Sequence, residues 1–314
     1  MDYTTFLLFI LGLALLSFGA DWLVCASLSL AQKLKIPAII VGMTIIAWGT
    51  SLPEIFVSIE ASLRGLPGIS VGNVVGSNIA NFLLIAGLTA LILPLKLTKE
   101  SFRRDGVFLI IFTLSFFLFF YQGIAQLWHG FILLGLVVLH ALWMSFDSYK
   151  NKDRNSDEDD SKSMPLCKAL PLVFIGVLML TFGGEILITS AVSLARTFNI
   201  SEATIGVTLV ALGTSLPELA ASLAAARRKE SQLIIGNLIG SNIYNIGAVM
   251  GLVALLAPGN IPINITSPNL WFMLCSSLGL IAWLGTGRAV NRKLGFTLLL
   301  LYLVFTALLL GKWE

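Results

Sequence analysis

Ten apolar runs alternate with shorter polar stretches along the chain, near residues 5–30, 38–63, 70–94, 105–121, 127–147, 167–195, 203–226, 233–257, 268–286 and 294–311. Most approach or exceed the ~20 residues that cross a bilayer as a helix. In lipid only helices satisfy the backbone of runs this long, so the pattern predicts an all-α integral membrane protein of ten transmembrane helices. The first run is long for one span and holds Asp21, which predicts a helix that tilts or overhangs the bilayer. The longest polar interruption, Asp147 to Lys162, divides the runs five and five. It defines a first five-helix repeat over 1–147, a cytoplasmic linker over 148–165 and a second five-helix repeat over 166–314.

Composition sharpens the class. The chain is 57% hydrophobic and 12% charged, with mean hydropathy +0.91, where a soluble domain carries roughly a quarter of its residues as charges. Its net charge of +3 says less than the placement of the charges. Seventeen of the 20 Lys and Arg residues flank the loops after runs 1, 3, 5, 7 and 9, leaving Arg64, Arg196 and Lys312 for the other side. Positive residues collect in the cytoplasm. Both termini are therefore expected outside a cell (inner) membrane, with the linker inside. No basic residue precedes the first run, so it lacks the n-region of a cleaved signal peptide and is expected to be retained. Cys25, Cys167 and Cys275 have neither metal nor framework spacing and read as small core residues. The acidic cluster Asp157-Glu158-Asp159-Asp160 lacks the Asx-Gly pattern of a calcium loop and reads as solvated linker. Asn199-Ile200-Ser201 and Asn264-Ile265-Thr266 match a glycosylation sequon on the outer side. His129 and His140 are unpaired in this reading and receive no role.

An internal repeat is the strongest signal. A shift of 164 positions carries Gly49-Thr50-Ser51-Leu52-Pro53-Glu54 onto Gly213-Thr214-Ser215-Leu216-Pro217-Glu218, letter for letter. The same shift carries Gly72-Asn73 onto Gly236-Asn237, Gly76-Ser77-Asn78-Ile79 onto Gly240-Ser241-Asn242-Ile243, Asn81 onto Asn245 and Gly87 onto Gly251. Over residues 42–88 it yields 21 identities in 47 positions. Five spans per half is an odd number, so the second half enters the membrane from the opposite side and the repeats are inverted.

The repeated residues point to hard-cation chemistry. Pro53 and Pro217 each remove a backbone donor and crowd the carbonyl four residues back, which breaks a helix near Thr50 and Thr214. Carbonyls freed in a membrane need protein, water or an ion to take them up. Glu54 lies one turn after Thr50, on the same side. An acid near the bilayer centre costs a few kcal/mol and is functional by default, and here two stand in matched contexts, Glu54 and Glu218. In the third and eighth runs Gly72, Gly76 and Gly87 are expected to allow close helix approach. There Ser77 and Asn81 share a face, as do Ser241 and Asn245. These donors are all oxygens, which suits sodium, calcium or magnesium rather than copper or zinc. Two carboxylates balance one divalent ion or hold two or three monovalent ones. Asp21 and Glu185 form a second matched acidic pair in apolar surroundings and read as gating or helix-end acids. Glu60 precedes Arg64 by one turn and reads as a surface pair.

The doubled motifs, GTSLPE with GNVVGSNIAN and GTSLPE with GNLIGSNIYN, resemble the paired alpha-repeats of prokaryotic sodium/calcium exchangers in the calcium/cation antiporter superfamily, over nearly the whole chain. The resemblance implies ten helices in two inverted halves, four central ion sites, and long tilted helices 1 and 6 that slide to alternate access. It implies Glu54 and Glu218 with the carbonyls of Thr50 and Thr214 as calcium ligands. For sodium it implies the carbonyls of Ala47 and Ala211, the side chains of Ser51, Ser77, Ser215 and Ser241, and both glutamates, with Asn81 and Asn245 lining the middle position. Asn at both 81 and 245 departs from relatives with Asp there and argues against potassium dependence. The short linker excludes the large calcium-sensing domain of animal exchangers.

The expected function is a secondary antiporter exchanging Na+ for Ca2+, electrogenic at three sodium ions per calcium as the resemblance implies, with H+-coupled Ca2+/cation antiport as the alternative. Ca2+ and Na+ are the substrates, the lipid bilayer is the surroundings, and no cofactor, nucleic acid or protein partner is indicated. A membrane-embedded enzyme would want clustered histidines or an activated nucleophile, and neither is present in the sequence. A passive channel fits Pro-broken helices in inverted halves less well than a transporter does.

Overall fold

The computed structural model describes residues 3–150, 164–197, 211–261 and 263–310, the side chains of 148–150, 211, 263–267 and 310 excepted. The acidic cluster at 157–160 and the sequon at Asn199 lie outside the described residues. At the Asn264 sequon only the backbone is described. The order of elements is α1 (Tyr3–Leu34), α2 (Ala38–Thr50), α3 (Leu52–Leu63), α4 (Pro67–Ile92), α5 (residues 99–120), β1 (Ile124–Ala125), α6 (Leu127–Lys150), α7 (Leu166–Thr197), α8 (Ala211–Gly213), α9 (Leu216–Arg227), α10 (Ser231–Leu256), β2 (Gly259–Asn260), α11 (Ile263–Gly285) and α12 (Arg292–Leu310). Among the described residues seven helices are long and apolar enough to cross a membrane, and α2 with α3, bent by 44°, makes up to eight.

Helices α1 and α7 have 32 residues each. At 1.5 Å per residue that is about 48 Å, against ~30 Å of hydrocarbon, so each tilts or overhangs. They run antiparallel along one another, and small residues set how closely. A methyl on Gly12 would meet the Leu187 backbone at 2.7 Å and one on Gly176 the Leu23 backbone at 3.0 Å; Gly19 and Gly183 meet Met179 and Leu15 in the same way, at 2.7 and 2.8 Å. Each contact maps onto the other under the 164-residue shift, so one interface is built twice from equivalent residues.

The proline breaks fall where the sequence places them. Helix α2 ends at Thr50, Ser51 sits at φ −86°, ψ 6°, and α3 begins with Pro53 in its first turn. Ser215 repeats the geometry at φ −86°, ψ 3° before α9. Among the described residues, four π-helical turns are additions that apolar periodicity does not encode: Gly42–Ile46, Ala80–Ile85, Phe102–Gly106 and Asn245–Val249. The second and fourth hold Asn81 and Asn245.

Among the described residues, two features depart from an all-helical chain. Strand β1 pairs antiparallel with β2, and Leu95 bridges to Val290. Where helices end in loops, their freed backbone groups still need partners, and short strand pairs supply them. The core is continuous, from Leu23 and Val24 of α1 through Met43 and Ile46 of α2, Val74 and Ile79 of α4 and Phe112 and Phe116 of α5 to Ile239 and Ile243 of α10.

Several expectations need correction. Cys167 and Cys275 are exposed and Cys25 is half-buried, so the thiols are not core residues. Single small apolar side chains are tolerated on a lipid-facing surface, which sequence pattern does not separate from the interior. Gly72 is exposed and Gly76 half-buried, and no described atom lies within 4 Å of a methyl built at either. Their counterparts are the tight ones: a methyl on Gly236 would strike the Ile39 carbonyl oxygen, and one on Gly240 would lie 2.7 Å from that of Met43. Gly87 does pack closely, 3.0 Å from the Gly295 carbonyl oxygen by the same measure. Arg104, counted with the loop cations, is buried in a cluster. Its guanidinium donates to both Asp105 oxygens at 2.7 Å and to Asp147 at 2.8 Å, and His140 Nε2 lies 3.7 Å from Asp105. His140 Nε2 is buried and makes no hydrogen bond among the described residues. His129 accepts the Gln126 backbone N–H at 3.2 Å.

Candidate functional site

The broken helices bring the two hexapeptides together. Glu54, in the first turn of α3, is 0% exposed, and Glu218, in the first turn of α9, is 1% exposed. Ser51 Oγ donates to Glu218 Oε1 across the repeats at 2.8 Å. The Glu54 carboxylate lies in the field of Glu218 and beside the hydroxyls of Thr214 and Ser77. Ser77 and Thr214 are themselves 3.5 Å apart. Each glutamate therefore faces a hydroxyl of the opposite half, Thr214 for Glu54 and Ser51 for Glu218, while Ser77 comes from the same half as Glu54.

The sequence-predicted donors also gather the buried polar atoms left without partners. Both carboxylate oxygens of Glu54, Oε2 of Glu218, the hydroxyls of Ser215 and Ser241 and the whole amides of Asn81 and Asn245 are buried with no hydrogen bond among the described residues. In folded proteins the great majority of such groups are paired. Here most of the unpaired ones belong to the two repeated motifs and present oxygens. Asn81 and Asn245 sit in π-helical turns, a feature frequent at functional sites. No group of three or more His, Cys, Asp and Glu comes together among the described residues, so cation chemistry at this place rests on two carboxylates and neutral oxygens.

Thr50 and Thr214 stand in the motif as expected. Thr50 Oγ1 donates back to the Ile46 carbonyl at 3.0 Å. The Ala47 carbonyl, expected as a sodium ligand, accepts the Ser51 N–H at 3.1 Å, so the helix already uses one of its lone pairs. In the second half Ser215 N–H turns to Leu212 instead, at 3.1 Å. Ala211 opens α8, and its side chain is outside the description.

Sequence reasoning left four asparagines without a role. Asn73 and Asn237 bridge the halves: Thr214 Oγ1 donates to Asn73 Oδ1 at 3.1 Å, and Thr50 Oγ1 stands 3.5 Å from Asn237 Oδ1. Asn78 and Asn242 donate back to the carbonyls of Val74 and Leu238 at 2.7 and 2.6 Å, each leaving its own Oδ1 unpaired. Their duplication under the 164-residue shift was the available signal. Of the second acidic pair, Asp21 lies well inside α1 rather than at a helix end, and Arg228 donates to it at 2.6 and 3.2 Å. Glu60 and Arg64 pair at 2.5 Å on the surface.

Known proteins resemble this chain over most of its length. The chain is 36% identical to the inner membrane protein YrbG of Escherichia coli, over 88% of each chain. It is 32% identical to the sodium/calcium exchanger MaX1 of Methanosarcina acetivorans, over 98% of this chain and 99% of that one. Among solved structures, the sodium-calcium exchanger NCX_Mj soaked with Na+ and Ca2+ superposes with a TM-score of 0.85 at 32% identity, covering 98% of this chain and 99% of that one. The sodium/calcium exchanger protein family model matches residues 4–146 and 168–311, and the chain belongs to that family, as an integral membrane protein of the prokaryotic cation and calcium antiporter type.

Proposed function

We propose that this antiporter exchanges Na+ for Ca2+ by alternating access at one site near the membrane midplane, between two inverted five-helix halves of a ten-span chain. The observation that carries the reading is the set of buried, unpartnered oxygens on Glu54, Glu218, Ser215, Ser241, Asn81 and Asn245. Two carboxylates neutralise one Ca2+ or accompany two or three Na+, so both ions draw on the same charges and compete. Hard oxygen donors of mixed type suit both ions, and the residual flexibility of a broken helix suits calcium better than magnesium, which demands near-ideal octahedral geometry. The calcium ligands in this reading are Glu54, Glu218 and the carbonyls of Thr50 and Thr214. Sodium takes the side chains of Ser51, Ser77, Ser215 and Ser241 and the carbonyls of Ala47 and Ala211, and Asn81 and Asn245 line the centre. Both termini lie outside, and the linker is cytoplasmic.

At three sodium ions per calcium the cycle moves net charge. In proteoliposomes, Ca2+ uptake driven by an outward Na+ gradient should rise severalfold over a no-gradient control and respond to an imposed membrane potential. Uptake that ignores sodium and follows a pH gradient instead would replace sodium coupling by proton coupling at the same glutamates, since a buried Glu can carry a proton.

A further inference from the structure

We infer that Asn73 and Asn237 are positioning residues that brace the ion site across the two halves, each tying the glutamate segment of its own half to the threonine of the other. Asn73, on α4, donates from Nδ2 to Ser58 Oγ at 3.0 Å and to the Glu54 carbonyl at 3.4 Å, while its Oδ1 accepts from Thr214 Oγ1 at 3.1 Å. Asn237, on α10, donates to Ser222 Oγ at 3.0 Å and to the Glu218 carbonyl at 3.4 Å, and faces Thr50 Oγ1 at 3.5 Å. The two sets correspond residue for residue under the 164-residue shift.

A side-chain amide is suited to this task because it donates and accepts at once. Through Asn73 the chain links Glu54 to Thr214; through Asn237 it links Glu218 to Thr50. The distance between the halves at the site is thereby fixed by side chains that need not touch the ion. Ser51 adds a direct tie to Glu218 on one side. An ion that needs both glutamates together depends on their separation more than an ion that uses one at a time. The brace therefore bears on calcium more than on sodium. The inference rests on the exchange reading above.

The test uses the full-length protein, with equilibrium 45Ca2+ binding in detergent and flux in proteoliposomes. Partners that orient metal ligands typically account for about 10- to 100-fold in affinity or activity. Asn73→Ala and Asn237→Ala should each weaken Ca2+ binding by about tenfold or more on that scale, and raise the KM for Ca2+ more than the KM for Na+. Asn73→Ala with Thr214→Val should bind Ca2+ no worse than the weaker single variant, because both remove one link. Asn73→Ala with Thr50→Val should be additive, because these belong to different links. Unchanged Ca2+ affinity in the single variants, equal loss for both ions, or full additivity for Asn73 with Thr214 would each overturn the inference. Wild-type flux indifferent to sodium would instead sink the exchange reading, and that result is obtained before any variant is made.

Discussion

Glu54 and Glu218 are the residues on which the site's charge depends, and their amide isosteres separate charge from shape. Glu54→Gln or Glu218→Gln keeps volume and removes one of two buried charges. Stripping one partner from a buried ionic arrangement costs about 3–5 kcal/mol, which converts to a loss of ~100-fold or more in Ca2+ binding. Exchange should fall to background in flux assays while the ion-free variant melts at or above the wild-type temperature, because a desolvated charge has been removed. Retained transport would remove both glutamates from the mechanism. These acids were legible in sequence because a carboxylate in an apolar run stands out and the repeat shows it twice. Asn73 and Asn237 were equally duplicated but not legible as a brace. A neutral amide in a helix has several ordinary partners, and only the fold shows that Thr214 and Thr50 of the opposite half come within reach.

At the scale of elements, α1 and α7 are bound to each other by backbone proximity at Gly12, Gly19, Gly176 and Gly183, and α1 is tied to the end of α9 by Asp21 and Arg228. The Asp21 carboxylate holds the Arg228 guanidinium above its ordinary range. The side chains are 55% and 35% exposed, so the pair belongs to the class worth about 0.2–1 kcal/mol. Asp21→Asn and Arg228→Gln should each lower the melting temperature slightly, and the double variant should match the singles rather than their sum. Additive shifts would show that the pair does not couple α1 to α9. Both proline breaks, and the positions of the eight candidate spans among the described residues, could be read from apolar length and residue chemistry, whereas the expected ten are not all found there. The π turns could not be read this way, because apolar length does not report how many residues each turn holds. The Arg104 cluster was likewise hidden, since Arg104 and Asp147 lie 43 positions apart in sequence and meet only when α5 packs on α6.

On the scale of the molecule, the same residues occupy different surroundings in the two halves. Gly236 is pressed onto the Ile39 carbonyl, while Gly72, its equivalent, is exposed. Under the alternating access proposed above, with halves that trade shapes, each half-cycle is the other viewed from the far face of the membrane. The forward and return limbs then have separate genetic addresses. Gly236→Ala should crowd α10 against α2 and disfavour the conformation described here. Gly72→Ala, harmless in this conformation, should disfavour its mirror. Measured as Na+-driven Ca2+ transport with the protein oriented one way in vesicles, the two variants should skew the ratio of outward to inward apparent affinities in opposite directions. Skews of the same sign would mean that the two halves do not exchange roles. A single methyl, placed 164 residues earlier or later, would thus act as a bias on which side of the membrane the site spends its waiting time.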